Sequence, residues 1–237
     1  MIDRELLRSA AALQGISLTE RQLEQFDVYA EMLVERNKSI NLTAITAPEE
    51  IVYKHFADSL SLLSAHAPAE GASLIDVGSG AGFPGLPLAI ARPDLRVLLL
   101  DSLQKRVNFL ADVAAALGLD NLSAVHERAE IAAHQPGLRG QFDYTVARAV
   151  APLPVLCELC LPFVREGGFF LPQKGGSTAD ELEKAAAAIE TLGGQIAGTR
   201  PVALPMAGQH TITIIKKIRQ TPPEYPRKPA KITKMPL

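Results

Sequence analysis

The chain has no tryptophan, and its four Tyr and eight Phe make up only 5% of 237 residues. Few side chains are therefore free to act as stacking platforms for a flat ligand. Only two cysteines are present, Cys157 and Cys160. They form a lone C-x-x-C inside an apolar helical pattern, with no second cysteine pair or close histidine to complete a zinc site. A redox pair sits at a helix N-terminus after a strand, whereas this one falls mid-helix, so two small core residues are expected. No apolar run reaches the roughly 18–20 residues that a membrane-spanning helix needs. The opening MIDRELLRSAAALQG carries acids and no long apolar core, which argues against a secretory or transit signal and for a cytoplasmic protein. Internal repeats and low-complexity segments are missing too.

Charge is small in total, −2, but uneven. From Lys216 to Leu237 seven Lys and Arg face one acid, Glu224, which gives +6 and leaves −8 on the rest. A basic, proline-bearing end on an acidic body suits contact with a polyanion such as RNA, and equally suits a solvated tail. The pattern PPEYPRKPAKITKMPL predicts irregular chain.

Two regions differ in rhythm. Residues 1–66 read as helices only. Asp3 precedes the spacing Leu6, Leu7, Ala10, Leu13, which stops at Gly15. Thr19 and Gln22 offer a capping box before Leu23, Phe26, Ala30, Leu33 and Asn37. Thr46 and Glu49 offer another, with Pro48 in the first turn of a helix running to about Ala65. From Ser73 onward, SLIDV, RVLLLD, LSAVHE, DYTVAR and GFFLPQK are short apolar runs separated by helical segments, one of them PLPVLCELCLPFVREGG. That alternation predicts a parallel sheet with right-handed crossovers. The last two strand candidates, near Gln195–Leu204 and His210–Lys217, are joined by a turn and predict an antiparallel last strand. The expected divisions are a helical extension over 1–66, a sheet domain over 67–217 and a basic tail over 218–237.

The stretch SLIDVGSGAGFPG ends the first strand with Asp76 and follows it with Gly78, Gly80 and Gly82. Glycines at a strand-to-helix turn let backbone N–H groups approach a ligand, and GAGFPG fits a dinucleotide fingerprint. Asp101, ending the next strand, suits a ribose of NAD or of S-adenosylmethionine alike. Asp76 separates them: a carboxylate at the cleft repels a pyrophosphate but suits a cofactor carrying an ammonium and a sulfonium, directly or through water. The third strand leads into Ala129–Glu130, where a small side chain and an acid suit an adenine, although Glu130 equally suits a helix N-terminus. The fourth strand ends in Ala-Arg-Ala around Arg148. An Asn/Asp-Pro-Pro-aromatic motif of amino-group methyltransferases is missing there, and no cysteine lies at a strand end. A nucleophile with a free lone pair and no proton to lose, such as guanine N7, fits that pattern.

Together ERNKSINLTAI, EEIVYKHFADSL, LIDVGSGAGFPGLPLAIARPDLRVLLLDSLQKRVNFL, VARAVAPL, FFLPQKG and YPRKPAKITKMPL, in this order over nearly the whole chain, resemble the RsmG (GidB) family of bacterial 16S rRNA guanine-N7 methyltransferases. The resemblance implies an α/β Rossmann-like fold with a mainly parallel seven-stranded sheet, an antiparallel last strand and a helical N-terminal extension. It implies S-adenosylmethionine as cofactor and methyl transfer to N7 of a guanine in the 530 loop of 16S rRNA. By motif position the cofactor falls on Gly78, Phe83, Ala129, Glu130 and Arg148, with Gly80 and Asp101 from the loop and strand reading. Arg148 is the candidate for positioning the base. Asn41, His55 and Lys174 are candidates for RNA contact. Lys105 and Arg106 suit phosphate contact or plain solvation. The expected partner is 16S rRNA or a small ribosomal subunit particle, with no membrane and no metal, and the protein is expected to be a monomer. One departure is Pro229–Ala230, where the family usually has a glycine. A catalytically idle RNA-binding or ribosome-assembly module on the same fold is the alternative.

Overall fold

The structure, a computed structural model, describes residues 1–148, 151–175 and 178–237. Helix α1 (Arg4–Ala12) starts where the Asp3 carboxylate accepts from the N–H groups of Glu5 and Leu6. Helix α2 (Glu20–Asn37) opens with the expected capping box between Thr19 and Gln22. It buries Leu23, Phe26, Tyr29, Ala30 and Leu33, each large apolar side chain contributing about 2 kcal/mol.

The third helical stretch departs from the sequence reading. Thr46 caps nothing there: Ala47 takes the N-cap position without a side-chain bond, and Pro48 opens the three-residue α3 (Pro48–Glu50). The backbone then widens into a π-helix, Ile51–Ala57, before tightening to α4 (Asp58–Ala65). Such a slip of the hydrogen-bond ladder has no local sequence pattern and recurs at functional sites.

Strands and helices then alternate: β1 (Ser73–Val77), α5 (Gly85–Ala91), β2 (Arg96–Asp101), α6 (Gln104–Leu117), β3 (Leu122–His126), α7 (Ala129–Ala132), β4 (Phe142–Arg148), α8 (Leu153–Cys160), β5 (Val164–Gly175), α9 (Thr178–Thr191), β6 (Gly194–Leu204), β7 (Gly208–Lys217) and α10 (Pro229–Lys234). The sheet has seven strands in the order β3-β2-β1-β4-β5-β7-β6. Strands β1 to β5 pair in parallel, and β7 runs antiparallel to both its neighbours. The segment VREGG, expected to finish a helix, begins β5 instead: α8 ends at Cys160 and a short 3-10 turn at Leu161–Phe163 follows. Pro162 in that turn has no N–H to continue the helix.

Side chains alternate across the sheet. Leu74 packs in the core shared with α1, α2, the π-helix and α5, while Ile75 and Val77 pack in the core shared with α8 and α9. Cys157 and Cys160 belong to the second core, and burial pushes both thiols up.

The C-terminal segment is mostly irregular, as expected, apart from the short α10, and it is docked on the sheet domain. Arg139 donates to the carbonyls of Thr221, Pro222 and Tyr225. Arg227 pairs at 2.6 Å with Glu158, whose side chain is fully buried. Pro229 and Ala230 open α10, Pro229 in the first helical turn. Lys217 also turns inward, donating to the Leu161 carbonyl at 2.6 Å. The outward cations of this segment include Lys228, Lys231 and Lys234. None of the described helices is long and apolar enough to cross a membrane.

Candidate cofactor and transfer site

The glycine loop is built by its neighbours. Gly78, Gly80 and Gly82 have φ of 75°, 61° and 107°, left-handed values that favour glycine. The N–H groups of Gly78 and Ser79 donate to the Leu100 carbonyl, tying the loop to β2. Asp101 fixes the next step: Oδ2 accepts from Gly80 N–H at 2.8 Å and Oδ1 from Leu103 N–H at 2.9 Å. Arg106 lies 3.5 Å from Asp101, and Lys105 is exposed. Across the sheet Asp101 pairs in register with His126, so Ala129 and Glu130 open α7 one strand over. Glu130 accepts from Arg128 Nε at 2.6 Å.

Asp76 has a different place from the cleft-facing one its sequence position suggests. Alternation puts it on the helix-covered face of β1, fully buried, where Oδ2 accepts from the Gly85 N–H at 2.8 Å. The other oxygen, Oδ1, has no partner among the described residues. Burial pushes the carboxyl up to about 7. A Cβ at Gly85 would lie 2.8 Å from Asp76 Oδ2 and 2.5 Å from Leu99 Cδ2, so strand and helix meet only through a glycine.

Phe83, at the end of the loop, joins it to the helical segment. His55 stacks on it with centroids 4.2 Å apart, and Tyr29 and Phe56 flank it. Arg148 places its guanidinium carbon 4.7 Å from the same ring centroid. Arg148 Nη1 donates to Asp58 Oδ2 at 2.9 Å and to the Lys54 carbonyl at 3.1 Å, and Nη2 lies 3.2 Å from His55 Nδ1. A guanidinium only donates, so Nδ1 is the acceptor and Nε2 carries the proton toward Thr43 Oγ1, 2.9 Å away. Burial first, then Arg148, pulls His55 down to about 3, so the ring is neutral across the physiological range.

The structure thus brings Gly78, Gly80, Phe83, Asp101, His55 and Arg148 into one cluster, with Ala129 and Glu130 on the adjoining strand end. Asn41 is exposed, in a turn organised by Asn37, whose side chain accepts from Leu42 and Thr43 N–H. Lys174 extends β5 one residue beyond Gln173, and its side chain lies outside the described residues. Sequence reasoning missed Tyr29, whose hydroxyl donates to the Ala81 carbonyl at 2.6 Å. It also missed Gln173 and His210, which meet Asp58 from β5 and β7. Helical periodicity marks the buried face around Tyr29 but not its hydroxyl, and nothing local pairs β5 or β7 with Asp58.

These features fit S-adenosylmethionine. A Cβ at Gly80 would meet only the Gly78 carbonyl, at 3.9 Å, so space above the loop is open. Asp101 at the end of β2 and Glu130 in the first turn of α7 suit the ribose hydroxyls and the adenine amino group of that cofactor.

The strand order with its antiparallel β7, together with an acid-preceded glycine loop, is that of an S-adenosylmethionine-dependent methyltransferase. A solved structure of TYW2 from M. jannaschii in complex with AdoMet shares the fold, with TM-score 0.52 and 13% identity over 63% of this chain and 70% of that one. The GidB family, described as rRNA small subunit methyltransferase G, matches residues 22–203. Ribosomal RNA small subunit methyltransferase G of Lachnoclostridium phytofermentans is 50% identical over 94% of this chain and 93% of its own length. The protein of the same name from Alkaliphilus metalliredigens is 44% identical over the full length of both. The chain belongs to the GidB family and is an rRNA methyltransferase.

Proposed function

We propose that the chain transfers the methyl group of S-adenosylmethionine to N7 of a guanine in the 530 loop of 16S rRNA, acting as a monomer in the cytoplasm on the RNA or on a small ribosomal subunit particle. Gly78, Gly80, Phe83, Asp101, Ala129 and Glu130 hold the cofactor, and Arg148 stands between it and the base. The cofactor supplies a methyl group on a sulfonium, activated for displacement.

The observation that carries this reading is the setting of Arg148. Guanine N7 offers a lone pair and no proton, so the site needs alignment and no general base. The residues around Arg148 match that need. His55 is neutral, with its ring acceptor occupied by Arg148. Both cysteines are buried in α8. Arg148 has five N–H groups, of which three find partners among the described residues, one on Asp58, one on the Lys54 carbonyl and one on His55. The remaining donors suit guanine O6, an acceptor beside N7 that leaves the N7 lone pair free. His55 acts on this account through Arg148. Direct RNA contact falls to Asn41, Lys174 and the outward lysines of the C-terminal segment.

Arg148→Ala is expected to lower kcat about 100-fold, the order of effect of misplacing a reacting group, with a smaller change in cofactor affinity by calorimetry. Unchanged turnover would remove Arg148 from the transfer step.

A further inference from the structure

Arg148 is a cation resting on a loop that receives a cation. Its guanidinium lies against Phe83 of the glycine loop, and S-adenosylmethionine brings a sulfonium to that loop. Left uncompensated in a site this sheltered, the guanidinium would oppose cofactor binding, because like charges a few ångströms apart repel strongly where water is scarce. Asp58 meets that difficulty. Its carboxylate is 2.9 Å from Arg148 Nη1, and the two side chains are only 12% and 15% exposed. Asp58 is also held from two other strands. Its backbone carbonyl accepts from Gln173 Nε2 at 2.5 Å, and its Oδ1 lies 3.1 Å from His210 Nε2, close but not aligned as a hydrogen bond. It follows directly on the π-helix, whose Lys54 carbonyl and His55 ring take further donors of the same guanidinium.

We infer that Asp58 is a positioning residue that fixes Arg148 and cancels its charge, so that the glycine loop accepts a sulfonium cofactor. The inference rests on the reading that Arg148 stands beside the bound cofactor.

The test is calorimetry on the full-length protein with S-adenosylmethionine and S-adenosylhomocysteine, which differ by one methyl group and the sulfonium charge it creates. Asp58→Asn keeps the shape and removes the charge, and should weaken S-adenosylmethionine about tenfold more than S-adenosylhomocysteine. Asp58→Glu should restore most of the difference. Arg148→Met leaves Asp58 as the uncompensated charge and should shift the ratio the other way, toward S-adenosylmethionine. Equal losses for both ligands in Asp58→Asn, or an unmoved ratio in Arg148→Met, overturn the inference. If Asp58→Asn does not fold, the Arg148→Met ratio decides. Turnover of Arg148→Met is read separately. A shifted ratio with full turnover sinks the transfer role of Arg148 alone, and lost turnover with an unmoved ratio sinks the charge balance alone.

Discussion

The imidazole of His55 stacks on the ring of Phe83, with planes 19° apart. One residue belongs to the N-terminal helical segment and the other to the glycine loop, so the helical segment forms part of the wall of the proposed cofactor site. Phe83 is 6% exposed and touches Tyr29, Phe56 and Arg148 as well. Phe83→Ala should cost about 3 kcal/mol in urea unfolding and should weaken cofactor binding, while Phe83→Leu should recover much of the stability. Full stability in Phe83→Ala would contradict this packing.

Two glycines of one loop should respond differently to alanine. At Gly80 the added Cβ finds open space, so the protein should lose only the left-handed backbone penalty of about 1 kcal/mol. Cofactor affinity should fall by more than stability does if, as proposed, the cofactor takes that open space. At Gly82 the Cβ would sit 2.6 Å from the Tyr29 hydroxyl and 3.0 Å from Leu110 Cδ2, so Gly82→Ala should cost about 2 kcal/mol or more. Paired denaturation and calorimetry separate the two cases.

Asp76 gives the protein a pH signature. Its carboxyl is near 3.8 when unfolded and about 7 when folded, because burial disfavours the charge. Between those values the folded chain keeps a proton that the unfolded chain releases. This contribution is therefore complete below pH 4, declines as pH rises to about 7 and then levels, by roughly 4 kcal/mol in all. Asp76→Asn should flatten this profile. A variant that tracks the wild type in urea titrations at pH 5 and pH 8 would refute this.

The docked C-terminal segment makes a stability prediction. Arg227 meets Glu158 through its backbone N–H, Nε and Nη2. Arg227→Ala strands a fully buried carboxylate and should cost about 3–5 kcal/mol, and Arg227→Met with Glu158→Gln should cost less. Replacing Lys228, Lys231 and Lys234 with Gln leaves this anchor intact. That variant should reduce the salt slope of RNA binding without lowering the unfolding midpoint.

The sheet and its loop were legible in the sequence because their signals are local. Apolar runs of strand length mark β1 to β5, and glycines mark the turn between β1 and α5. Asp101 and Arg148 fall at strand ends that those runs define. What stayed hidden depends on long-range or register effects. Asp58 and Arg148 are 90 residues apart, and the π-helix that aligns Lys54, His55 and Asp58 on one guanidinium is a slip in backbone bonding that side-chain spacing does not encode. Asp76 looked like a cleft residue because its position in the motif is visible, whereas its burial depends on α5 packing over β1. The proline- and lysine-rich end read as a tail suited equally to RNA contact and to solvation, because composition does not reveal that Lys217 and Arg227 turn inward.

The most direct measurement of the central claim uses 16S rRNA from cells lacking this protein, methylated in vitro with purified protein and labelled S-adenosylmethionine, then mapped by nucleotide. A single 7-methylguanosine in the 530 loop is expected, missing before incubation and restored by the wild-type protein but not by Arg148→Ala. Label at an exocyclic amine or a pyrimidine carbon, or none on RNA or on small-subunit particles, would contradict it.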